Sequence, residues 1–311
     1  MGDIPSSGDP DSCAGAMPQP AITRLAFHHD GKLLNLTTRL VSVRPFSALE
    51  EANKQLLLKP LLASAGDGNG DGDPEHAFVF VTDETIFHPQ GGGQPSDEGE
   101  LRIDGLVLSI TAVRMDAVHP AQVLHLGRLL GSGQQMPDQP DAAATMLALR
   151  PGAAVEQAVD ADKRLLYSRL HTAGHVLGSA VRHLLEREVV GFDELKASHF
   201  PDSAACEFQG LIDGKWKPQI QARVDDYVDR AMPVRIEFWT EDDFRREGLE
   251  RLIPDRALLA PGESRFRVVR IEGAEVYPCG GTHVDTTDLC GQTTVKKISR
   301  RQKEKARSGY Q

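Results

Sequence analysis

Apolar and polar residues alternate between Ala21 and Val43 on either side of His29-Asp30-Gly31-Lys32. Asp-Gly suits the left-handed backbone of a two-residue turn, so the pattern predicts an opening β-hairpin. The alternation breaks after Ala48, where a leucine-rich piece, Gln55 to Leu62, runs into GDGNGDGDPE; the stretch 48–76 reads as an insertion. Strand character resumes with AFVFV, Ala77 to Val81. Glu100 to Ile103 and Leu106 to Arg114 flank an Asp104-Gly105 turn, a second hairpin, and Gln122 to Leu126 adds another strand. Together these predict a small β-barrel over 21–150, interrupted again by the turn-rich GSGQQMPDQPDAAA at 131–144.

Beyond the barrel the period changes. From Asp160 or Asp162, either able to cap a helix, Leu165, Leu166, Leu170, Val176, Leu177, Val181, Leu184 and Leu185 recur at spacings of three and four, predicting a helix that ends near Gly191. Strands are expected at Ala204 to Phe208 and Val234 to Trp239, and helices at Gln219 to Arg230 and at Glu241 to Glu247, the latter capped by Thr240. Two further strands follow between Arg265 and Tyr277 around a Glu272-Gly273 turn. The expected fold class is α+β: an N-terminal small β-barrel, then a two-layer α/β domain over 151–311 with a largely antiparallel sheet, behind a disordered leader over 1–20.

Chemistry concentrates in two short stretches, SRLHTAGHVLGS (Ser168 to Ser179) and PCGGTHV (Pro278 to Val284). On a helix, His171 and His175 project from one face one turn apart. Cys279 and His283 flank Gly280 and Gly281, which let the backbone fold tightly enough to aim both side chains at one point. Two plus two makes the nitrogen and sulfur set of a tetrahedral zinc, and the long separation between the pairs points to a site inside a large domain rather than a zinc finger. Four protein ligands would saturate the ion, as in a structural site; three, with His283 loose, would leave an open position for Lewis-acid work. Thr172 stands where a metalloprotease HExxH has its Glu, so no built-in base sits beside the metal.

Other residues take plainer readings. Gly91, Gly92 and Gly93 are costly to order unless the backbone must approach something closely. The loop lacks the Gly-Lys-Ser/Thr ending of a P-loop. Asp67, Asn69, Asp71 and Gly72 imitate half a calcium loop, but Phe78 occupies the position of the bidentate Glu, which leaves a flexible Gly/Asp loop. His199 reads as an exposed loop residue, Cys206 as buried filler in a strand, and Asp285 as a group placed to orient the His283 ring. His28, His29, His119, His125 and His183 have no partner spacing.

The 311 residues, 40% hydrophobic and 26% charged, describe a globular chain able to bury a core without disulfides. The four cysteines form no paired framework, which favours a reducing, cytoplasmic setting. The N-terminus has no basic residue before Arg24 and no apolar block, so it is not read as a secretory signal, and no run is long enough to span a bilayer. A net charge of −10 opposes broad nucleic-acid binding, yet Lys296 to Arg307 carries seven bases against one acid, a local basic patch just downstream of His283.

The combination of IFHPQGGGQPSDEG, HTAGH and CGGTHV in that order resembles the AlaX family of alanyl-tRNA editing proteins, freestanding relatives of the alanyl-tRNA synthetase editing domain, in its medium-length form. A related domain serves threonyl-tRNA synthetase. The resemblance covers Thr23 to Lys305 outside the two insertions. It implies deacylation in trans of serine, or glycine, from mischarged alanine tRNA, with Zn2+ held by His171, His175, Cys279 and His283. By motif match, Thr85 and Gln94 line the amino-acid pocket as the catalytic candidates, and Gly91, Gly92, Gly93 and Thr282 contact substrate. Lys296, Lys297, Arg300 and Arg301 would meet the acceptor end of the tRNA. Two departures stand out: His88 replaces the family's usual Tyr, and the chain stops at Gln311. The rival readings are a zinc-stabilised tRNA-binding module without catalysis and a deacylase of another aminoacyl-tRNA, such as mischarged threonine tRNA. DNA and membrane partners are not expected.

Overall fold

The first folded residues, Thr23 to Phe27, are buried at four positions out of five, and Leu25, Ala26 and Phe27 are buried consecutively. Strand alternation cannot bury three neighbours on one side. Accordingly, the computed structural model, which describes residues 21–63, 76–130, 142–302 and 305–310, has no hairpin at Asp30-Gly31. A two-residue strand, β1 (Arg24–Leu25), leads instead into a single helical turn, α1 (Ala26–His29), and then the long β2 (Asn35–Pro45).

The leucine-rich stretch expected to be an insertion begins as an ordered helix, α2 (Glu51–Ala63), whose Leu57 and Leu61 pack on the outside of the barrel against Val79, Val81, Leu124 and Leu126. The Gly/Asp loop that follows, the 1–20 leader and most of the second insertion lie outside the described residues. Next come β3 (Phe78–Thr82), β4 (Glu84–Thr85), β5 (Gly99–Ile103), β6 (Leu106–Met115), β7 (Val123–Leu129), α3 (Ala142–Ala148) and β8 (Ala154–Val159). Strands β2-β3-β7-β6-β5-β8 close into an antiparallel barrel around Phe27, Phe80, Phe87, Leu101 and Leu108. Closure leaves no open sheet edge there. The Asp104-Gly105 turn is as expected, with both residues at positive φ, 49° and 82°, joining β5 to β6. β4 pairs with β1 in parallel and puts Thr85 beside Leu25.

The helix that follows, α4 (Ala161–Leu185), starts at Asp160, whose side chain accepts the Lys163 amide. It ends short of Gly191. Its apolar stripe, with Val176, Leu177, Val181 and Leu185 fully buried, packs on α5 (Lys217–Asp229) and on a four-stranded sheet. That sheet contains β9 (Asp193–Ser198) and β10 (Ala205–Gln209) and is completed by the C-terminal hairpin of β14 (Val295–Gln302) and β15 (Lys305–Tyr310), in the order β14-β15-β10-β9. Between them lie β11 (Val234–Trp239), α6 (Glu241–Arg246), β12 (Phe266–Ile271) and β13 (Val276–Pro278), with Thr240 forming a capping box on α6. The basic segment is itself structured as β14 (Val295–Gln302) and β15 (Lys305–Tyr310). The architecture is α+β, mostly antiparallel, as the patterning indicated.

A buried ion pair fastens the barrel to α4. The Arg164 guanidinium meets Asp97, both side chains nearly inaccessible to water, and also holds the carbonyls of Gly31 and Ile86. Desolvating such a pair is costly, and what keeps it favourable is that the guanidinium is fully hydrogen-bonded. It fixes the start of the helix that carries His171 and His175.

Within the barrel, the His125 ring is fully buried; its Nδ1–H points at the Phe80 carbonyl, 3.1 Å away, while its Nε2 takes the Thr85 hydroxyl at 2.8 Å. Burial pushes the ring down to about 4 from its usual 6.5. The unfolded chain therefore takes up a proton that the folded one refuses, so this stability is complete above pH 6.5 and is lost as pH falls toward 4. Urea unfolding of wild type and His125→Gln between pH 7 and 4.5 should give slopes differing by about 1.4 kcal/mol per pH unit at most, the variant being flatter. Equal slopes would contradict the buried neutral ring.

Candidate metal centre and its cleft

Four donor groups converge where α4, the barrel and the segment after β13 meet. His171 and His175 stand one turn apart with their rings stacked, centroids 5.0 Å apart. Cys279 and His283 come in on the turn that follows β13. The Cys279 Sγ lies 3.3 Å from His171 Nε2 and 3.4 Å from His283 Nε2, and one ligand atom from each of the four residues lies within 4.8 Å of all the others. Glycine is required in this turn: a Cβ at Gly281 would fall 2.1 Å from His171 Cε1.

Neighbouring groups decide which ring nitrogens face the centre. The Gln94 side-chain oxygen accepts from His171 Nδ1 at 2.7 Å and from the Thr282 amide at 3.0 Å, while its NH2 donates to the Thr282 hydroxyl at 3.0 Å. With Nδ1 as donor, His171 Nε2 carries the lone pair. Thr172 does the same for His283. Its hydroxyl hydrogen goes to the Ser168 carbonyl, so at 3.2 Å from His283 Nδ1 it can only accept, leaving Nε2 bare beside Cys279. His175 Nε2 is buried without any hydrogen-bond partner. An orphaned buried nitrogen beside two oriented imidazoles and a thiol is what a metal site looks like before its ion is counted.

Charge points the same way. Burial lowers His171 and His283 well below 6.5 and His175 to about 3, so all three rings keep a lone pair at neutral pH. Burial raises the Cys279 thiol, against the pull of Arg267, whose guanidinium holds the Cys279 carbonyl. The set can therefore bind a divalent cation, releasing the thiol proton as it does so.

The cluster sits where two lobes of a cleft meet. One lobe, of about 1150 Å3, runs between α4, β9 and β10 past His171, His175, Tyr277 and Glu194. The other, of about 550 Å3, lies between the barrel mouth and β12. Gly92, Pro278, Cys279 and Gly280 line both.

The glycine loop does approach backbone closely, but that backbone belongs to β9. Gly93 sits at φ +81°, a Cβ there would meet the Ala197 carbonyl at 2.3 Å, and its own carbonyl accepts the His199 amide at 2.8 Å. Gly91 and Gly92 continue the same rim of the cleft. Gln94 and Thr282 are brought together behind the four donor groups. Thr85 is not: its hydroxyl is occupied by His125 and the Phe87 amide inside the barrel, and it lines neither lobe. Lys296 and Lys297 are exposed on β14; the side chains of Arg300 and Arg301 lie outside the described residues.

Two expectations are overturned. His199 is 2% exposed, stacks on His171 with centroids 4.0 Å apart and is tied through Nδ1 to the Tyr310 hydroxyl. A bare Gly174 on α4 makes its place, since a Cβ there would strike the His199 ring. Asp285 does not orient His283; it pairs with Lys32 in solvent, and Thr172 takes that role. Thr172, Ser168, Tyr277 and Arg267 are the site residues missed from sequence. Only Thr172 left a signal, through its place between the two histidines.

Residues 266–307 match the family described as the threonyl and alanyl tRNA synthetase second additional domain. The chain is 29% identical over 234 residues, 72% of its length, to the alanine–tRNA ligase of Methanothermobacter thermautotrophicus, and covers 22% of that protein. It is 25% identical over 224 residues, also 72% of its length, to the alanyl-tRNA editing protein AlaX-L of Pyrococcus horikoshii, of which it covers 48%. The Frankia casuarinae alanine–tRNA ligase is 31% identical over 245 residues. The chain thus spans under half the length of the curated relatives it matches here.

If Gln94 sets the His171 ring, Gln94→Leu should weaken divalent-metal affinity by about 10–100-fold. A Co2+ titration read at the thiolate-to-cobalt charge-transfer band checks this. Unchanged affinity would detach Gln94 from the centre.

Proposed function

We propose that this chain, a relative of AlaX-L and of the matching segment of the alanine–tRNA ligases, is a zinc-dependent aminoacyl-tRNA deacylase that removes serine from mischarged alanine tRNA. The observation that carries the reading is the donor set itself: ligands from two distant segments, oriented from behind by Gln94 and Thr172, at the junction of a two-lobed cleft. Three imidazoles and a thiolate are a donor set that zinc takes, and the Cys279 Sγ lies 3.3 and 3.4 Å from two of the nitrogens.

Bound zinc would be held by His171, His175 and Cys279, with His283 able to give up its place, and would then supply Lewis acidity at the ester or anchor its end. The chain's own residues supply the rest. An ester between an amino acid and a ribose hydroxyl is activated, so holding it beside a water goes far toward hydrolysis. Gln94 and Thr282 pin the loop and helix together so that this position is preformed. Ser168 donates to the Thr282 hydroxyl at 2.7 Å and locks the same contact from α4. The larger lobe, with the Tyr277 hydroxyl and His199 on its wall, is roomy enough for an aminoacylated ribose and polar enough to hold water. The exposed Lys296 and Lys297 offer phosphate contacts to an acceptor stem.

A closed four-ligand site without catalysis is the second reading, favoured by the mutual closeness of all four donors. The measurement is serine release from Ser-tRNA(Ala) and Ser-tRNA(Thr). Wild type should hydrolyse the alanine species preferentially, and Cys279→Ala should lose about a hundredfold or more in kcat/KM. Full turnover in Cys279→Ala that has been stripped of metal would overturn a catalytic centre. No turnover by zinc-loaded wild type on either substrate would favour the binding module.

A further inference from the structure

Along α4 a short unit occurs twice. His171 is followed three residues later by Gly174, and His175 three residues later by Gly178. In each case the bare glycine admits a ring from another element, and that ring stacks on the histidine. A Cβ at Gly174 would strike the His199 ring, which lies on His171 with centroids 4.0 Å apart and planes at 22°. A Cβ at Gly178 would fall 3.1 Å from the Tyr277 hydroxyl, and the Tyr277 ring lies on His175 with centroids 4.3 Å apart and planes at 26°. Because His171 and His175 also stack on each other, the four rings form one column in the order Tyr277, His175, His171, His199.

The column matters most at His175. Gln94 orients His171 and Thr172 orients His283, each by a hydrogen bond at Nδ1, and Arg267 holds the Cys279 carbonyl. Among the described residues no hydrogen bond reaches the His175 ring. An imidazole donor without such a partner can turn about its last torsion unless neighbouring groups bound its faces. Tyr277 and His171, both at 26° to its plane, are the rings that bound it. Tyr277 is itself held: it pairs with Val269 on β12, and its hydroxyl lies 3.1 Å from Ser179 Oγ and 3.4 Å from the His175 carbonyl. The strand that leads into Cys279 therefore also delivers the ring that packs on His175.

We infer that Tyr277 is a positioning residue whose ring face, rather than its hydroxyl, fixes the plane of His175 and keeps the orphaned Nε2 aimed at the other three donors. A ring already held in place loses no further freedom when an ion binds, so the stack strengthens metal affinity through order set in advance. The inference rests on the zinc part of the function proposed above and not on the reaction.

The test is a Co2+ titration of the full-length chain, read at the thiolate-to-cobalt band, for wild type, Tyr277→Phe and Tyr277→Leu, each also in a His175→Ala background. Tyr277→Phe keeps the stacked ring and should stay within about twofold of wild type. Tyr277→Leu should weaken Co2+ by about three- to tenfold, the loss expected when one side chain must be ordered at binding. With His175 replaced by alanine the leucine change should have no further effect, because the partner it acts through is gone. Tyr277→Met, which also lacks a flat face, takes the place of the leucine variant if that one does not fold.

Equal affinity in wild type and Tyr277→Leu would overturn the inference. So would a loss in Tyr277→Phe as large as in Tyr277→Leu, which would put the effect in the hydroxyl. The same loss with and without His175 would reduce Tyr277 to a support of the fold and overturn it as well. A wild-type chain with no cobalt band would remove the metal reading and the inference together, whereas the expected pattern in a chain that releases no serine would remove the deacylase reading alone.

Discussion

The carboxamide of Gln94 is the point on which this structure turns. It belongs to the barrel, yet its oxygen accepts from His171 on α4 and from the Thr282 amide in the C-terminal turn, and its NH2 donates to the Thr282 hydroxyl. Three segments remote along the chain are thereby referred to one buried group with no exposed surface. Losing either neighbour would strand a polar atom away from water, a cost of about 1–3 kcal/mol each. The barrel is therefore part of the candidate metal centre rather than a neighbour of it. The Arg164–Asp97 pair and the contact of Gly93 with Ala197 hold the same junction from either side.

Around that junction the molecule gathers imidazoles. His171 lies within 5.0 Å, ring centre to ring centre, of His175, His199 and His283. Such crowding is tolerable only if the rings are neutral, because several buried like charges would repel one another strongly. Burial enforces neutrality, and neutrality supplies lone pairs. The arrangement that disfavours protons favours a single shared cation. Arg267 adds a fixed positive charge on the Cys279 carbonyl, which makes the thiolate form less costly there.

Much of this was legible in the chain. The spacing of His171 and His175 is a property of the helix repeat, and the Gly280-Gly281 step announces a turn too tight for side chains, so the convergence of these four donors could be read directly. The barrel and the α+β class follow from alternation and turn residues. What escaped has physical causes. The Asp30-Gly31 hairpin was a local signal overridden by burying Leu25, Ala26 and Phe27 together. The Leu57 and Leu61 helix looked like insertion because its apolar face covers the outside of a barrel that the local sequence does not describe. His199 and Arg267 acquire meaning only through Tyr310 and the His28 carbonyl, partners fixed by tertiary structure. Asp285 failed as an orienting group because proximity along the chain says little about which way a loop carboxylate points.

The central claim is that nitrogen and sulfur donors from α4 and from the turn after β13 close on one ion. X-ray absorption at the zinc edge of the loaded protein tests it most directly. The account predicts a shell of three nitrogens at about 2.0–2.1 Å and one sulfur at about 2.3 Å, with the sulfur lost in Cys279→Ala. A shell of oxygen and nitrogen with no sulfur in the wild-type protein would contradict it.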